Sequence, residues 1–314
     1  MHTRTLLALS LLLVLSCVAY MTLGVKAGWA FILPFRGTKL VALLTVAVSI
    51  STATVLFQAI THNRILTPSI MGFDALYVLL LTGAVYGLGG FAVADLPPLL
   101  VFAVTAGIMV GASLMLFGTL LLSKGQDLIV MILTGVIFGT LFRALTSFMQ
   151  RLIDPNEFSV VQVASYARFN DIETEILWPA GAVMAVALIA AWRMRYRLDV
   201  LMLGRETAIN LGEQPRTRYL QVLVIIAVLV SVSTALVGPV ALLGLLVVAL
   251  AHVVTPTPHH AILLPSAALI SAITLVGGQT VMERVLHLTT PLAVIVDVLG
   301  GMVFLFLVLR GLRA

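Results

Sequence analysis

The sequence predicts an all-α, polytopic membrane protein. Hydrophobic residues make up 61% of its 314 positions and charged residues only 10%, whereas ordinary soluble chains are roughly half apolar and about a quarter charged. The mean hydropathy is +1.15. A transmembrane helix uses about 20 apolar residues, so the composition allows roughly nine or ten spans. Soluble enzymes, nucleic-acid-binding proteins and disordered scaffolds are excluded as classes.

The first predicted span covers residues 6–23 and has two interpretations. Ser16 before Cys17 resembles the end of a cleavable lipoprotein signal, but the chain beyond Cys17 is also membrane-like, which favours an uncleaved helix. Cys17 is the single cysteine of the chain. An intrachain disulfide is therefore impossible, and cysteine usage does not indicate the redox compartment.

The next six predicted spans are separated by charged clusters and by Pro/Gly breaks, at 40–60, 75–92, 98–122, 128–149, 176–192 and 220–236. The second span is unusually polar, with Thr45, Ser49, Ser51, Thr52, Thr54 and Gln58. Small and hydroxylated residues allow membrane helices to approach closely. The pairs Gly83/Gly87, Gly107/Gly111 and Gly135/Gly139 have the same small-xxx-small spacing, so these features predict a tightly packed bundle.

The last three predicted spans are 240–254, 262–280 and 291–309. We expect the eighth and ninth to be short or broken, because Gly238, Pro239, Pro256, Pro258 and Pro265 surround them. Irregular backbone at membrane depth is tolerated only where protein or a water-filled cavity covers it. We find no large extramembrane segment, so residues 1–314 are predicted to form a single transmembrane domain.

The distribution of basic residues predicts the orientation. With ten spans both termini share one side, which collects eleven Lys and Arg residues against six on the other. The positive-inside rule makes the first side cytoplasmic. The opposite side carries an acidic segment at 154–175.

Ionisable residues inside the spans are candidates for function, because each is costly in hydrocarbon and usually faces a partner or a wet cavity. Arg143 lies in the fifth span and Asp297 in the tenth. They either pair or face a translocation path separately; snorkelling of Arg143 and helix capping by Asp297 are the structural alternatives. Asp74 begins the third span, where interaction with the helix dipole is expected.

Motifs for other chemistries are absent from the sequence. His252, His259 and His260 fit no standard metal-ligand spacing and are predicted to lie on the surface. The chain has neither His-Glu-x-x-His nor a P-loop, and spacing alone supports no Ser/His/Asp set. We therefore expect no catalytic residue, metal or cofactor in this chain.

The connection at about 193–218 is the longest on the predicted cytoplasmic side. Between Gly204 and Gly212 the sequence predicts a short amphipathic helix, on which Ala208 and Leu211 share a face with Leu203 or Met202. Arg205 and Glu206 point elsewhere. Arginines that only set the orientation in the membrane would not require such a helix. The segment is therefore predicted to dock a cytoplasmic partner.

Several stretches resemble the permease subunits of ATP-binding-cassette importers, in the group that takes up iron-siderophores and vitamin B12. The resemblance covers essentially the whole chain, and its most specific parts are 58–72, 203–212, 238–245, 290–294 and Gly300-Gly301. Members of that group have ten transmembrane helices in a type II importer bundle. They dimerise around a central path that helices five and ten line.

The resemblance implies a role for each candidate residue. Arg143 and Asp297 become path residues, and the gate loop between helices four and five maps to Lys124, Gln126 and Leu128. Two cytoplasmic ATPase subunits, which hold ATP and Mg²⁺, would dock on Leu203, Gly204, Arg205, Glu206, Ala208, Leu211 and Gly212. A periplasmic substrate-binding lipoprotein would dock on Arg36, Lys39 and Arg284, the first two preceding helix two.

The resemblance also implies the substrate class and the location. Departures from the family pattern at Asn63-Arg64-Ile65-Leu66, Val248, Ala249 and His252 favour a siderophore branch over the vitamin B12 branch. Heme, vitamin B12 or a metal ion is the alternative cargo. An ion-coupled secondary transporter is the alternative class, although no inverted repeat is evident. The expected protein is a multi-pass permease of the bacterial inner membrane that assembles with an identical or paralogous permease, contacts lipid and binds no nucleic acid.

Overall fold

The computed structural model describes residues 2–25, 28–122, 128–169, 172–286 and 292–311, and all regular structure in these ranges is helical. A 3₁₀ turn, Pro68–Met71, precedes α3, and a π turn, Val281–Val285, follows α13. The helices are α1 His2–Thr22, α2 Trp29–Thr61, α3 Phe73–Leu88, α4 Gly90–Ala94, α5 Pro98–Leu122, α6 Leu128–Gln150, α7 Pro155–Ala164, α8 Thr174–Arg193, α9 Arg195–Leu201, α10 Arg205–Asn210, α11 Pro215–Val237, α12 Leu243–Val254, α13 His260–Thr280 and α14 Leu292–Gly311.

Nine of the ten predicted spans each overlap one of these helices, whereas the span predicted at 75–92 covers most of α3, the break at Gly89 and the start of α4. Among the described residues, seven helical segments are long and apolar enough to cross a membrane, and they lie in α1, α2, α5, α6, α8, α11 and α13. Shorter apolar stretches, Phe73–Leu88, Leu243–Val254 and Leu292–Val303, occupy the other three predicted positions. A multi-pass, all-α membrane protein is confirmed, whereas the count of ten spans stays a prediction.

Helix α2 begins eleven residues earlier than predicted, at Trp29 rather than at residue 40. The prediction started the span after the basic pair, but Pro34, Arg36 and Lys39 all lie inside the 33-residue helix. Membrane helices tolerate proline where neighbouring groups satisfy the freed backbone. The guanidinium of Arg36 is itself satisfied by backbone carbonyls of α1, which allows the charge to sit within the helix.

Helices α2, α11 and α13 form the centre of the bundle. Burial reaches 72%, 67% and 50% of their most apolar stretches, compared with 6% for α1. One core cluster joins α2, α8 and α11, and a second joins α1, α2, α12 and α13. Helix α2 belongs to both clusters and therefore links the two halves of the bundle.

The hydroxyl groups of α2 are satisfied mostly within the helix. Thr45, Ser51, Thr54 and Thr61 donate to the carbonyl four residues earlier at 2.7–2.8 Å. Such bonding removes the cost of polar groups in an apolar core. Two serine hydroxyls bond between helices instead. The sulfur of Met184 on α8 accepts a hydrogen bond from Ser49 on α2 at 3.2 Å and from Ser233 on α11 at 3.4 Å. These contacts confirm the packing role expected for the small polar residues.

The predicted breaks around the eighth and ninth spans are half right. The chain is irregular between α11 and α12, with Gly238 at φ 96°, and α12 is only 12 residues long. The ninth span, predicted to be short or broken, is instead the continuous 21-residue helix α13, which contains Pro265. A proline interrupts a membrane helix less than its sequence suggests, because neighbouring groups re-satisfy the backbone.

Candidate functional site

The segment Leu203–Gly212 has the predicted glycine-bounded helix. Helix α10 is flanked by Gly204 at φ 96° and Gly212 at φ 84°. Side chains with a Cβ rarely adopt such angles, so glycine is required at both ends. The backbone N–H of Gly212 closes the turn by donating to the carbonyl of Ile209 at 2.9 Å.

The apolar residues of this segment do not share one face as predicted. Ala208 is fully buried, whereas Leu203 and Leu211 are each 60% exposed. Ala208 belongs to the same buried core cluster as Leu198, Leu201 and Tyr219. On a helix of six residues, Ala208 is the one anchor, and the larger apolar groups face outward together with the exposed Arg205 and Glu206. An exposed apolar surface with charges beside it is typical of a protein–protein contact.

Glu213 fixes the segment to its neighbours. Its carboxylate lies 2.8 Å from Nε of Arg218 on α11 and 3.7 Å from Nε of Arg197 on α9. Its backbone N–H donates to the carbonyl of Ala208 at 2.9 Å. Helices α9, α10 and the start of α11 are thus joined through one residue.

Arg36 has a role that the sequence did not reveal. Its side chain is only 5% exposed. Nη1 donates to the carbonyls of Tyr20, Met21 and Leu23 at 2.9–3.0 Å, and Nη2 donates to that of Gly24 at 3.3 Å. The last carbonyls of a helix have no partner within it, so Arg36 caps the end of α1. The expectation that Arg36 presents its charge to a docking protein needs correction, because its donors are turned inward.

Arg284 and Lys39 lie near this cap. Arg284 contacts Glu283 at 3.4 Å in the π turn, and a methyl group added at Gly24 would lie 3.4 Å from its Cδ. Lys39 lies one turn after Arg36, with Nζ 4.4 Å from the ring centroid of Phe35. We call Arg36, Lys39, Glu283 and Arg284 the Arg36–Arg284 cluster. The structure brings Arg36 and Arg284 together at Gly24, although they lie 248 positions apart in the sequence.

Asp297 lies against the break between α11 and α12. Its Oδ1 accepts a hydrogen bond from the backbone N–H of Leu242 at 3.0 Å. A methyl group added at Gly300 would lie 2.6 Å from Cβ of Leu242 and 3.0 Å from its carbonyl oxygen. Gly300 therefore brings α14 against the irregular backbone, and Asp297 satisfies one amide of that backbone.

Arg143 lies on α6 with an exposed side chain. Of the two arrangements left open for Arg143 and Asp297, the structure shows separation rather than pairing: within the described ranges no ion pair joins them. This part of α6 packs closely against the backbone at Gly72, since a methyl group added at Gly72 would lie 2.8 Å from Cα of Gly139. Gly72 has φ 94° and precedes Asp74, which lies in the first turn of α3 as predicted.

An apolar cavity of about 310 Å³ opens between α3, α5 and α6. Its lining includes Phe73, Leu76, Met115, Phe138 and Phe142, and Phe142 directly precedes Arg143. Of the predicted gate residues, Lys124 and Gln126 lie outside the described residues. Leu128 is the first residue of α6, and its side chain lies outside the description.

The histidines divide into two kinds. His259 is exposed, as predicted, but His260 is 1% exposed and contacts Asp199, which lies 61 residues earlier. No local pattern indicates a contact across that separation. Over the part of the chain that the structure describes, no group of three or more His, Cys, Asp or Glu residues is arranged to hold a metal ion.

Comparison with known proteins extends these observations. The sequence model of the FecCD transport family matches residues 6–310. The petrobactin import system permease protein YclO of Bacillus subtilis is 41% identical, over 99% of this chain and 98% of the relative. The petrobactin import system permease protein FatC of Bacillus anthracis is 34% identical, over 88% of this chain and 78% of the relative.

The fold also matches a solved structure. That structure is described as an inward-facing conformation of a metal-chelate type ABC transporter, and the TM-score is 0.84 at 22% identity. The match covers 99% of this chain and the whole of the other.

The long apolar helices and the fold define a multi-pass helical membrane protein, and the family model and the relatives identify it as a transport protein of the ABC permease class. Within that class, the chain belongs to the FecCD transport family. The resemblance inferred from the sequence is confirmed.

Proposed function

We propose that this chain is the permease subunit of an ATP-driven importer that moves an iron(III)-siderophore complex from a binding protein to the cytoplasm. The observation that supports this best is the nearly full-length relationship to YclO, named as a petrobactin import permease. FatC, which is also named as a petrobactin import permease, supports it further. Heme, vitamin B12 or a metal ion is the alternative cargo.

The Leu203–Gly212 segment is the proposed contact for two cytoplasmic ATPase subunits. The support is its exposed Leu203 and Leu211 on a short helix that Ala208 and Glu213 hold to the bundle. A rigid, partly apolar protrusion transmits displacement better than a flexible loop does. ATP and Mg²⁺ would bind to those subunits, so this chain supplies the path and the ATPase supplies the hydrolysis.

The Arg36–Arg284 cluster is the proposed region for docking of the substrate-binding lipoprotein. Lys39 and Arg284 are the candidates for contacts to acidic residues of that protein, while Arg36 supports them by capping α1. A second permease, identical or paralogous, would complete a path along α6 and α14, where Arg143 and Asp297 lie. In this proposal both termini lie in the cytoplasm of a bacterium, and the bundle lies in its inner membrane.

Uptake of iron-labelled chelates tests the proposal. In a strain that lacks the gene, the intact chain is expected to restore uptake of ferric petrobactin, and a chain without residues 203–212 is the matched control expected to restore none. Ferric hydroxamate, heme and vitamin B12 are measured in parallel. Restored uptake of heme or vitamin B12 alone would overturn the substrate. Uptake that survives ATP depletion but stops when the ion gradient collapses would overturn the ATP-driven class.

A further inference from the structure

Asp199 joins two helices that the sequence keeps apart. It lies on α9, and its Oδ1 accepts a hydrogen bond from the backbone N–H of His260 at 2.8 Å. Nδ1 of the same histidine lies 2.6 Å from the same oxygen. A weaker approach, 3.6 Å, joins Oδ2 of Asp199 to Nδ1 of His259. We call this the Asp199–His260 contact.

The contact satisfies the beginning of α13. The first N–H groups of a helix have no partner within it, and His259, the residue that precedes α13, makes no side-chain cap hydrogen bond. A carboxylate at a helix N-terminus is stabilised by the unpaired N–H groups and the helix dipole. Because the cap comes from α9 rather than from the adjacent chain, the position of the start of α13 depends on the position of α9.

Helix α9 also belongs to the unit that contains the proposed ATPase contact. Two residues separate it from Gly204, and Arg197 on α9 approaches Glu213 at 3.7 Å. Leu198, Leu201 and Ala208 pack in the same cluster. Displacement of the Leu203–Gly212 segment would therefore displace α9 and, with it, Asp199.

The far end of α13 lies at the Arg36–Arg284 cluster. The helix has 21 residues and so spans about 32 Å at 1.5 Å per residue, and the π turn with Glu283 and Arg284 follows directly. Gln279 near its end donates to Glu283 at 2.6 Å. A single continuous helix thus connects the Asp199–His260 contact with the proposed docking region for the binding protein.

We propose that the Asp199–His260 contact transmits movement of the Leu203–Gly212 segment to α13, and that Asp199 is a positioning residue for coupling ATP hydrolysis to transport. This rests on the proposed function. Two sites are coupled physically when both bias the position of one shared element. Helix α13 meets that condition, because it contacts α9 at one end and is followed at the other by the π turn that holds Glu283 and Arg284.

The alternative is a purely structural cap, and two variants distinguish it. Asp199→Ala removes both bonds to His260, whereas Asp199→Asn keeps an oxygen acceptor in the same place. Asp154→Ala is the matched control, because Asp154 caps α7 by accepting from the backbone N–H of Asn156 at 2.9 Å. All chains are assembled with their ATPase, second permease and binding protein in lipid vesicles.

Two quantities are measured. The first is uptake per ATP hydrolysed, and the second is the stimulation of ATP hydrolysis by the substrate-loaded binding protein. Asp199→Ala is expected to reduce uptake per ATP by about tenfold, in the range typical of coupling between sites. Asp199→Asn is expected to recover most of the ratio, and Asp154→Ala to leave it unchanged. ATPase binding should persist in Asp199→Ala, because the exposed Leu203 and Leu211 are untouched.

An unchanged ratio in Asp199→Ala, with a lower melting temperature, would overturn the inference and leave a structural cap. If that variant does not assemble, His260→Phe decides, since it keeps the backbone N–H bond and loses only the ring bond. A reduced ratio there supports the inference and an unchanged ratio overturns it. Failure of the proposed function is distinguishable, because the unmodified complex would then show no ATP-driven uptake.

Discussion

Arg36 shows how a charged side chain can be buried inside a membrane helix bundle. A guanidinium inside a membrane helix is costly, yet its donors bond to four carbonyls at the end of α1. Without Arg36 these carbonyls would lose this donor, and without the carbonyls the buried guanidinium would lose these acceptors. The sequence marks Arg36 as an unusual charge but gives no indication that α1 supplies its partners.

Arg36→Ala is expected to lower the free energy of unfolding by about 3 kcal/mol, because hydrogen bonds to charged groups contribute about 1.5–3 kcal/mol and buried carbonyls lose their partner. Thermal unfolding of the purified chain in detergent measures the loss. Arg151→Ala, at an exposed arginine, is the control expected to change stability little. Equal melting temperatures for the two variants would contradict the capping role.

Asp297→Asn separates charge from hydrogen bonding. Asparagine keeps an oxygen for the N–H of Leu242, so we expect the bundle to stay folded, whereas Asp297→Ala loses the bond and about 1 kcal/mol. If the charge faces the path, Asp297→Asn changes the rate or the apparent affinity of uptake. Uptake kinetics identical to those of the unmodified chain would remove Asp297 from the path and leave the structural role alone.

At the scale of elements, neighbouring glycines on α14 differ in what they contact. A Cβ added at Gly300 would lie 2.6 Å from a side-chain carbon of Leu242 and 3.0 Å from its backbone oxygen. These distances are too short for a real side chain. At Gly301 the nearest atom to an added Cβ is Cδ1 of Leu242 at 3.7 Å, an ordinary contact. Sequence alone does not tell the two residues apart.

Gly300→Ala is accordingly expected to destabilise the protein by about 1–3 kcal/mol, the usual cost of overpacking. The backbone around Leu242 cannot move aside as a flexible side chain does. Gly301→Ala is the matched control and should be neutral or slightly stabilising, since alanine favours helix. Thermal unfolding of both variants in the same detergent compares their stabilities. A more stable Gly300→Ala than Gly301→Ala would refute the close packing of Gly300 against Leu242.

The exposed face around α10 gives a second prediction at this scale. Leu203→Asp with Leu211→Asp should abolish ATPase binding without unfolding the bundle, because both side chains are 60% exposed and contribute little to the core. Arg205→Glu by itself should weaken binding without abolishing it. Leu152→Asp, at an exposed leucine in the loop after α6, is the control. Co-purification of the ATPase subunit reports binding, and normal recovery with the double variant would reject the contact surface.

At the scale of the whole molecule, the two proposed docking regions differ in physical character. The Leu203–Gly212 segment offers apolar side chains beside charges, while the Arg36–Arg284 cluster offers the basic side chains of Lys39 and Arg284. Electrostatic association weakens as salt screens the charges. Apolar contact depends on salt much less. The two regions should therefore respond differently to ionic strength.

Lys39→Glu is expected to weaken binding of the substrate-loaded binding protein, and the difference from the unmodified chain should shrink as salt rises. Arg193→Glu makes the same change of net charge at an exposed position at the other end of α8 from Glu175 and serves as the control. Binding to the permease in nanodiscs is measured from low salt to about 1 M, where the Debye length falls to about 3 Å. Equal affinities at low salt would limit Lys39 to its contact with Phe35.

Prediction from sequence succeeded where the signal is local. The helix positions followed from hydropathy, and the glycine-bounded α10 followed from Gly204 and Gly212. It failed where a partner lies far along the chain: the start of α2 depended on carbonyls of α1, and the buried state of His260 depended on Asp199. The predicted apolar face of α10 was also wrong, because Ala208 is buried whereas Leu203 and Leu211 are exposed.

The sequence by itself determined the class of protein and the family, since composition, span length and short motifs are properties of consecutive residues. It also supplied the candidate residues. Tertiary structure decided what those residues do: Arg36 caps α1, Asp297 bonds the Leu242 amide, and Asp199 holds the start of α13. The reason is that a buried polar group must find a partner, and which partner it finds depends on helix packing that no local pattern encodes.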